Sequence, residues 1–354
     1  MAKEFKMSSR IRLGIVGCGA VAAIHHLPAL SGSNQFKVET LVDQDLERAR
    51  KFASQYQIPN VSRDYEELFN TVDAAIVALP NYLHAPVAID LLKHGIHALV
   101  EKPMALNILE CDQMIEAAKS AGRILAVGLD YRFIRAAEFT KQMLDAGVLG
   151  GVDKFDLRLG VHFNWPMNSN YLLQKETAGG GVLMDFGPHV LDLLLWWLGD
   201  YDRVEYHDDA FGGVESNCEV RLRLKGGSSG TIELSRSRKL RNTCIMYGAA
   251  ASLEVGIWDF NPQTSLTINN KRLSLSGAVM QDGSPDESWL DLFRREHEDF
   301  ALAILGQGEL FIPAEEGKRA VKLIESCYGS RQPVNYPWIF SENQPVKTEG
   351  NAES

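Results

Sequence analysis

The chain has 354 residues, 45% of them hydrophobic and 23% charged, with a formal net charge of −10. That length favours two domains over one core, and the composition is that of an ordinary globular protein. The negative balance argues against a nucleic-acid binder, which needs basic surface to displace counterions. An anionic ligand stays open, because a helix N-terminus and a few donors can outweigh the global field.

The five cysteines, Cys18, Cys111, Cys218, Cys244 and Cys327, are odd in number and scattered, with no CxxC or CxxH spacing. Neither a disulfide framework nor a metal site is expected, and a reducing cytoplasm fits best. The start "MAKEFKMSSR" has no apolar signal core, and no apolar run is long enough to span a bilayer. Residues 1–10 and 339–354 read as polar tails.

From Ile11 to about Leu129, apolar strand-like runs alternate with helical patterns. The strands are "IRLGIVG", "FKVETLVD", "DAAIVALP", "HALVEKP" and "RILAVGL"; the helices fall near 20–31, 45–57, 64–70, 84–94 and 106–121. Near-continuous apolar strands separated by helices predict a doubly wound α/β domain with a parallel sheet, over residues 11–130. Beyond Tyr131 the pattern changes to half-buried strands with turn residues between them, such as "VDKFDLRLGVHF", "VESNCEVRLRLKGG", "SSGTIELSRSR" and "TSLTINNKRLSL". With helices near 136–146, 182–198, 289–305 and 314–327, residues 131–338 predict an α+β domain whose open, mainly antiparallel sheet is covered on one face.

Gly17-Cys18-Gly19-Ala20-Val21-Ala22 is a GxGxxA loop directly after a strand and opening a helix. Gly17 allows the tight turn, Gly19 admits a pyrophosphate to the backbone, and Ala22 lets helix and strand pack closely. Asp43, about twenty residues on at the end of the second strand, is placed to accept hydrogen bonds from an adenosine ribose. A carboxylate there disfavours a 2′-phosphate, so NAD is preferred to NADP, with nearby Arg48 keeping NADP open.

Glu101-Lys102-Pro103 ends the fifth strand, and ligands of open α/β sheets bind at that carboxyl edge. The stretch "MDFGPHVLD" at 184–192 follows three glycines, Gly179–Gly181, and leads into "LLLWWLG". On a helix over 182–198, Asp185 and His189 share a face, with Asp192 near it. Taken alone, Asp185 as a cap and His189 as a satisfied core histidine suffice. Joined to a nicotinamide site and a strand-end lysine, they supply a base near neutrality and an ammonium for a developing alkoxide.

Those residues, with "GIVGCGAVAAIHHLPAL", "ALPNYLHAPVAIDLLKHGIHALVEKPMA" and "GGGVLMDFGPHVLDLLLWWLG", make the sequence resemble the glucose–fructose oxidoreductase / inositol dehydrogenase / rhizopine-catabolism (GFO/IDH/MocA) family over nearly its whole length. The resemblance implies a Rossmann domain, then a domain whose sheet serves substrate binding and association into homo-dimers or homo-tetramers. It implies catalytic roles for Lys102, Asp185 and His189: His189 as general base, Lys102 holding the reacting oxygen, Asp185 orienting the hydroxyl. Pro80, Asn81 and His84 match the loop flanking the cofactor, and Glu101 the residue beside the nicotinamide ribose. "GLDYRF" departs from a family segment often written with Asn at position 130. Asp130 is therefore left out of the catalytic set, and Arg132 is taken as a substrate contact. In the variable loop "HFNWPMNSNYLLQKETAGGG", Trp165 offers a stacking face for a sugar; Asn164, Asn168, Asn170 and Lys175 offer polar groups.

The expected activity is hydride exchange between NAD(H) and a secondary alcohol or ketone of a sugar, cyclitol or nucleotide-linked sugar. The alternatives are a keto-sugar reductase that retains its cofactor and a non-catalytic NAD(P)-binding sensor.

Overall fold

The computed structural model describes residues 10–167, 169–258, 264–275 and 287–333. Asn168 and the tails at 1–9 and 339–354 lie outside them. Six strands, β1 (Ile11–Val16), β2 (Phe36–Val42), β3 (Asn60–Ser62), β4 (Ala74–Val77), β5 (His97–Glu101) and β6 (Leu125–Gly128), form a parallel sheet in the order β3-β2-β1-β4-β5-β6. Every residue of β4 and β6 is buried, as expected of strands covered on both faces. The strand order reverses between β1 and β4, the crevice where ligands of such sheets bind.

Nine strands form the second sheet: β7 (Val152–Gly160), β8 (Tyr201–Asp208), β9 (Asn217–Leu224), β10 (Ser229–Ser235), β11 (Thr243–Gly248), β12 (Ser252–Gly256), β13 (Ser265–Ile268), β14 (Lys271–Ser274) and β15 (Arg331–Pro333). Their order is β14-β13-β12-β11-β7-β10-β9-β8-β15. The sheet is antiparallel except where β10 meets β7 and β15 meets β8. The helix Val182–Leu198 packs on β9 and β10. The opposite face carries charged residues such as Lys154, Asp156, Arg203, Arg221 and Arg223.

The chain does not divide cleanly near residue 130. The helix Trp289–Ile304 returns to the first sheet, where Phe300 and Ala301 share an apolar cluster with Ile11, Leu13 and Phe36. The helix Ala314–Gly329 bridges Val182–Leu198 and Ile108–Ala121. The helix expected at 64–70 is a single 3₁₀ turn, Tyr65–Leu68, too short to offset helix nucleation. After β1 the chain turns into a helix over residues 20–30 whose middle, Ala22–His26, is a π turn. Among the described residues, no helix is long and apolar enough to cross a membrane.

Candidate active site

The glycine loop is built for close approach. Gly17 has φ +98°, and a Cβ there would lie 2.2 Å from the Ala78 carbonyl oxygen, so both conformation and space demand glycine. At Gly19 a Cβ would meet nothing within 4 Å. The protein itself does not need glycine there, whereas a pyrophosphate seated on the following helix would. Gly19 and Ala20 line a cleft with Arg48, Lys51 and Phe52. Ala22 is fully buried under it, and Val21 is half-buried.

Asp43 is buried, with its carboxylate already engaged. Oδ2 accepts from Cys18 N (2.7 Å) and Oδ1 from Asp45 N (2.8 Å), while Arg48 reaches both oxygens, at 3.2 and 2.7 Å. Asp45 supplies the helix cap, accepting from Arg48 N. The residues thus fit a dinucleotide, with Arg48 both paired with Asp43 and lining the cleft.

Lys102 leaves the end of β5 through a cis bond to Pro103 and crosses to the second sheet's helix. Its Nζ lies 3.0 Å from both the Asp185 carbonyl oxygen and Asp185 Oδ1. Asp185 sits in the first turn of Val182–Leu198, where the helix dipole favours a carboxylate. Pro188 offers no N–H within that helix, so the backbone ladder is loosened near the carbonyl Lys102 takes. Arg236, at the end of β10, approaches Asp185 Oδ2 at 3.1 Å and donates to the Gly181 carbonyl oxygen at 3.1 Å. Burial works to raise the Asp185 carboxyl, but the Lys102 and Arg236 charges hold it below its ordinary range.

His189 is buried one turn beyond Asp185. Its Nδ1 lies 3.1 Å from Asp130 Oδ1, not aligned for a hydrogen bond, and its ring stacks on Tyr131 with centroids 4.1 Å apart. Asp130 follows the end of β6 just as Lys102 follows β5, so both come from the carboxyl edge of the first sheet. The sequence reading left Asp130 aside; the structure sets it against the histidine. Burial pushes the Tyr171 phenol up to about 12, with the Asp185 and Glu101 charges adding to the rise. Arg236 and Asp130 are the neighbours sequence reasoning missed. Only Asp130 carried a signal, its strand-end position.

The other expected site residues have partners of their own. Arg132 is 3% exposed, and its guanidinium is taken up by Asp192 (2.7 and 2.6 Å) and Glu316, over the face of Trp196. It is a buried ion pair, not a substrate contact, and it engages both Asp192 oxygens. Asn81 donates to the Ala178 carbonyl oxygen at 2.8 Å. His84 is buried between the carbonyl oxygens of Pro103 and Leu79, both 2.8 Å away, so it braces the loop rather than lining a cleft. Pro80 precedes the 3₁₀ turn Asn81–Leu83. Glu101 accepts from its own neighbour Lys102 N (3.2 Å) and pairs through Oε1 with His26 Nε2 at 2.9 Å. Trp165 is exposed and stacks on His25, centroids 6.0 Å apart. The three glycines are close-packed, not a flexible entry: a Cβ on Gly180 would lie 1.8 Å from the Tyr328 hydroxyl, and one on Gly181 2.0 Å from the Glu215 carbonyl oxygen.

A parallel sheet with a pyrophosphate loop, closed by a second domain that brings a carboxylate and an imidazole to a strand-end lysine, defines a two-domain dinucleotide-dependent oxidoreductase. The profile of the oxidoreductase family with an NAD-binding Rossmann fold matches residues 11–129, and that of the GFO/IDH/MocA C-terminal domain matches residues 138–254. The chain belongs to the GFO/IDH/MocA family of oxidoreductases. It is 26% identical over 355 aligned residues to D-glucoside 3-dehydrogenase of Escherichia coli (strain K12), covering 93% of this chain and 98% of that one. It is 29% identical to trans-1,2-dihydrobenzene-1,2-diol dehydrogenase of Mus musculus, covering 76% and 81%. Levoglucosan dehydrogenase in complex with NADH and levoglucosan superimposes with a TM-score of 0.81 at 20% identity, covering 91% and 97%, a likeness of fold.

Proposed function

We propose that this oxidoreductase exchanges a hydride between NAD(H) and a secondary alcohol, or its ketone, on a sugar, cyclitol or nucleotide-linked sugar. The observation that carries the reading is the meeting of Lys102 from the first sheet with the Asp185–His189 helix of the second, beside the β1/β4 crevice. The bound nicotinamide supplies the hydride acceptor or donor. The residues supply the rest. The substrate hydroxyl proton passes to His189, whose Nδ1 faces Asp130, leaving Nε2 to act as base. Asp130 stabilises the imidazolium that forms. The Lys102 ammonium, held by Asp185, steadies the oxygen as its negative charge develops. In reduction the same groups return the proton. The sugar-acting relatives favour a polyhydroxylated substrate. Association is expected through the uncovered, charge-lined face of the second sheet.

The test is a panel of sugars, cyclitols and nucleotide sugars scanned for NADH absorbance change. Lys102→Ala and His189→Ala should each lower kcat by about 10²–10⁴-fold while NAD affinity stays within a factor of about three. Full activity in both variants overturns the mechanism. No turnover with any class, alongside intact NAD binding, favours a sensor.

A second reading, NADP(H), is favoured by Arg48 and Lys51 lining the adenosine end while Asp43 is neutralised by Arg48. If it holds, Arg48→Ala weakens NADP binding by about tenfold or more and leaves NAD binding nearly unchanged. If NAD is the cofactor, the same change leaves NAD binding intact or tighter, and wild-type NADP binding is the weaker from the outset.

A further inference from the structure

Behind the active site lies a second polar cluster that the proposed reaction does not use. His26, on the π turn, and Glu296 and His297, on the helix Trp289–Ile304, are respectively 0%, 3% and 4% exposed. One nitrogen from each imidazole and one Glu296 oxygen lie within 4.8 Å of one another. His26 Nδ1 is 2.9 Å from His297 Nε2, and His26 Nε2 is 2.9 Å from Glu101 Oε1.

The proton inventory of this cluster does not close by itself. Glu101 Oε1 lies 2.9 Å from His26 Nε2, and a carboxylate oxygen accepts, so His26 donates to it from Nε2. His26 Nδ1 is then a bare lone pair. His297 can donate from Nε2 to that lone pair, which leaves its own Nδ1 a buried acceptor with no partner. Both Glu296 oxygens are likewise buried and without a partner. Acceptors thus crowd one apolar-walled space, and an unmatched buried acceptor is costly. A dication takes up the facing imidazole lone pairs and Glu296, and with two neutral imidazoles, Glu296 and Glu101 the local charge sums to zero.

We propose that His26, His297 and Glu296 hold one borderline divalent transition-metal ion of the zinc class, with Glu101 orienting His26 from behind. Two imidazoles and a carboxylate are a zinc ligand set, and a metal-bound histidine that donates its other N–H to a carboxylate is the usual supporting arrangement. Tetrahedral zinc places ligand nitrogens about 3.3 Å apart, so the two imidazoles need part by only a few tenths of an ångström. The second Glu296 oxygen or a water completes the shell. The ion ties the helix after the glycine loop to the helix Trp289–Ile304 and, through Glu101, to the strand that leads into Lys102. The sequence hides it because the two histidines are 271 positions apart.

The protein, expressed with zinc and purified without a histidine tag or metal column, is assayed by elemental mass spectrometry. About one ion per chain is expected in the wild type, and less than about a fifth of that in His297→Gln and Glu296→Gln. Because a variant can fail to fold, the wild type is also stripped with dipicolinate and titrated. Zinc, but not magnesium, should raise its melting midpoint by about 5 °C, and cobalt should develop visible ligand-field bands. Stripped wild-type protein that gains neither stability with zinc nor cobalt bands overturns the proposal. So does zinc bound equally by both folded variants. None of these readouts depends on turnover.

Discussion

At the scale of single residues, Asp130 and Arg236 sharpen what the three expected catalytic groups do. A histidine base works through whichever nitrogen its other neighbour leaves free, and in the proposed mechanism Asp130, 3.1 Å from His189 Nδ1, makes that choice once the two align. Asp130→Asn should keep the fold and NAD affinity but lower kcat by about 10²-fold or more, since an amide can present its N–H and favour the wrong tautomer. Steady-state kinetics with a nucleotide-binding control checks this; an unchanged kcat would remove Asp130 from the mechanism. Arg236→Met acts on Asp185 instead. With one cation gone, the carboxylate rests on Lys102 alone, so activity should lose its plateau at a higher acid-side pH than in the wild type. Lys102, Asp185 and His189 were legible because strand-end position and i, i+4 spacing are local signals. Arg236 was not, since the end of "IELSRSR" looks like any polar strand end and its partner lies 51 residues earlier in another element. Arg132 was misread for the same reason: a basic residue beside a site is indistinguishable in sequence from one buried against Asp192.

At the scale of elements, the helix Val182–Leu198 was readable to its ends, because an apolar face and a bounding glycine on each side are sequence signals. What holds its start was not readable. Glycine serves either freedom of φ or absence of a side chain, and sequence does not separate the two. Here Gly181 is needed for lack of a side chain: Glu215 Oε1 accepts from Gly181 N (2.9 Å), Leu183 N (3.0 Å) and the Tyr328 hydroxyl (2.8 Å), pressing its own backbone onto Gly181. Gly181→Ala should destabilise by about 1–3 kcal/mol and shift Asp185 relative to Lys102, lowering both the melting midpoint and kcat. Glu215→Leu strands two helix N–H groups and should cost a similar amount. Denaturant unfolding separates these from a purely catalytic effect. The buried pair behind the helix is a harsher case. Asp192, pushed up to about 6 by burial against the pull of Arg132, leaves that guanidinium leaning on Glu316 when removed. Asp192→Leu should therefore cost about 3 kcal/mol.

For the whole molecule, the parallel sheet was legible because its strands are apolar throughout, while β3, β8 and β15 were not. "NVS", "YDRVEYHD" and "RQP" carry too few apolar residues to announce strands, and only their neighbours' open edges recruit them. The return of Trp289–Ile304 to the first sheet is equally silent in sequence, since an amphipathic face does not name what it will cover. Packing of this kind fixes the acid response. His97 opens β5, where its Nδ1 accepts from Ile124 N at 2.9 Å, a bond that requires the neutral ring. Burial, with the Arg123 charge, lowers its pKa from 6.5 to about 4. Between those values the unfolded chain binds the proton and the folded chain does not, so this group's contribution is intact above pH 6.5 and lost as pH falls toward 4. Buried carboxylates such as Asp192 run the opposite way over an overlapping range, so the total slope is a difference and the single group must be isolated. His97→Gln keeps an acceptor for Ile124 N without titrating. The wild-type melting midpoint should therefore fall relative to the variant's from pH 6.5 to 4, at less than the single-proton limit of about 1.4 kcal/mol per pH unit because the ring is part-exposed. Parallel midpoints across that range would mean that His97 takes up its proton as readily in the fold as in the unfolded chain, and that the strand–loop bond to Ile124 is not formed.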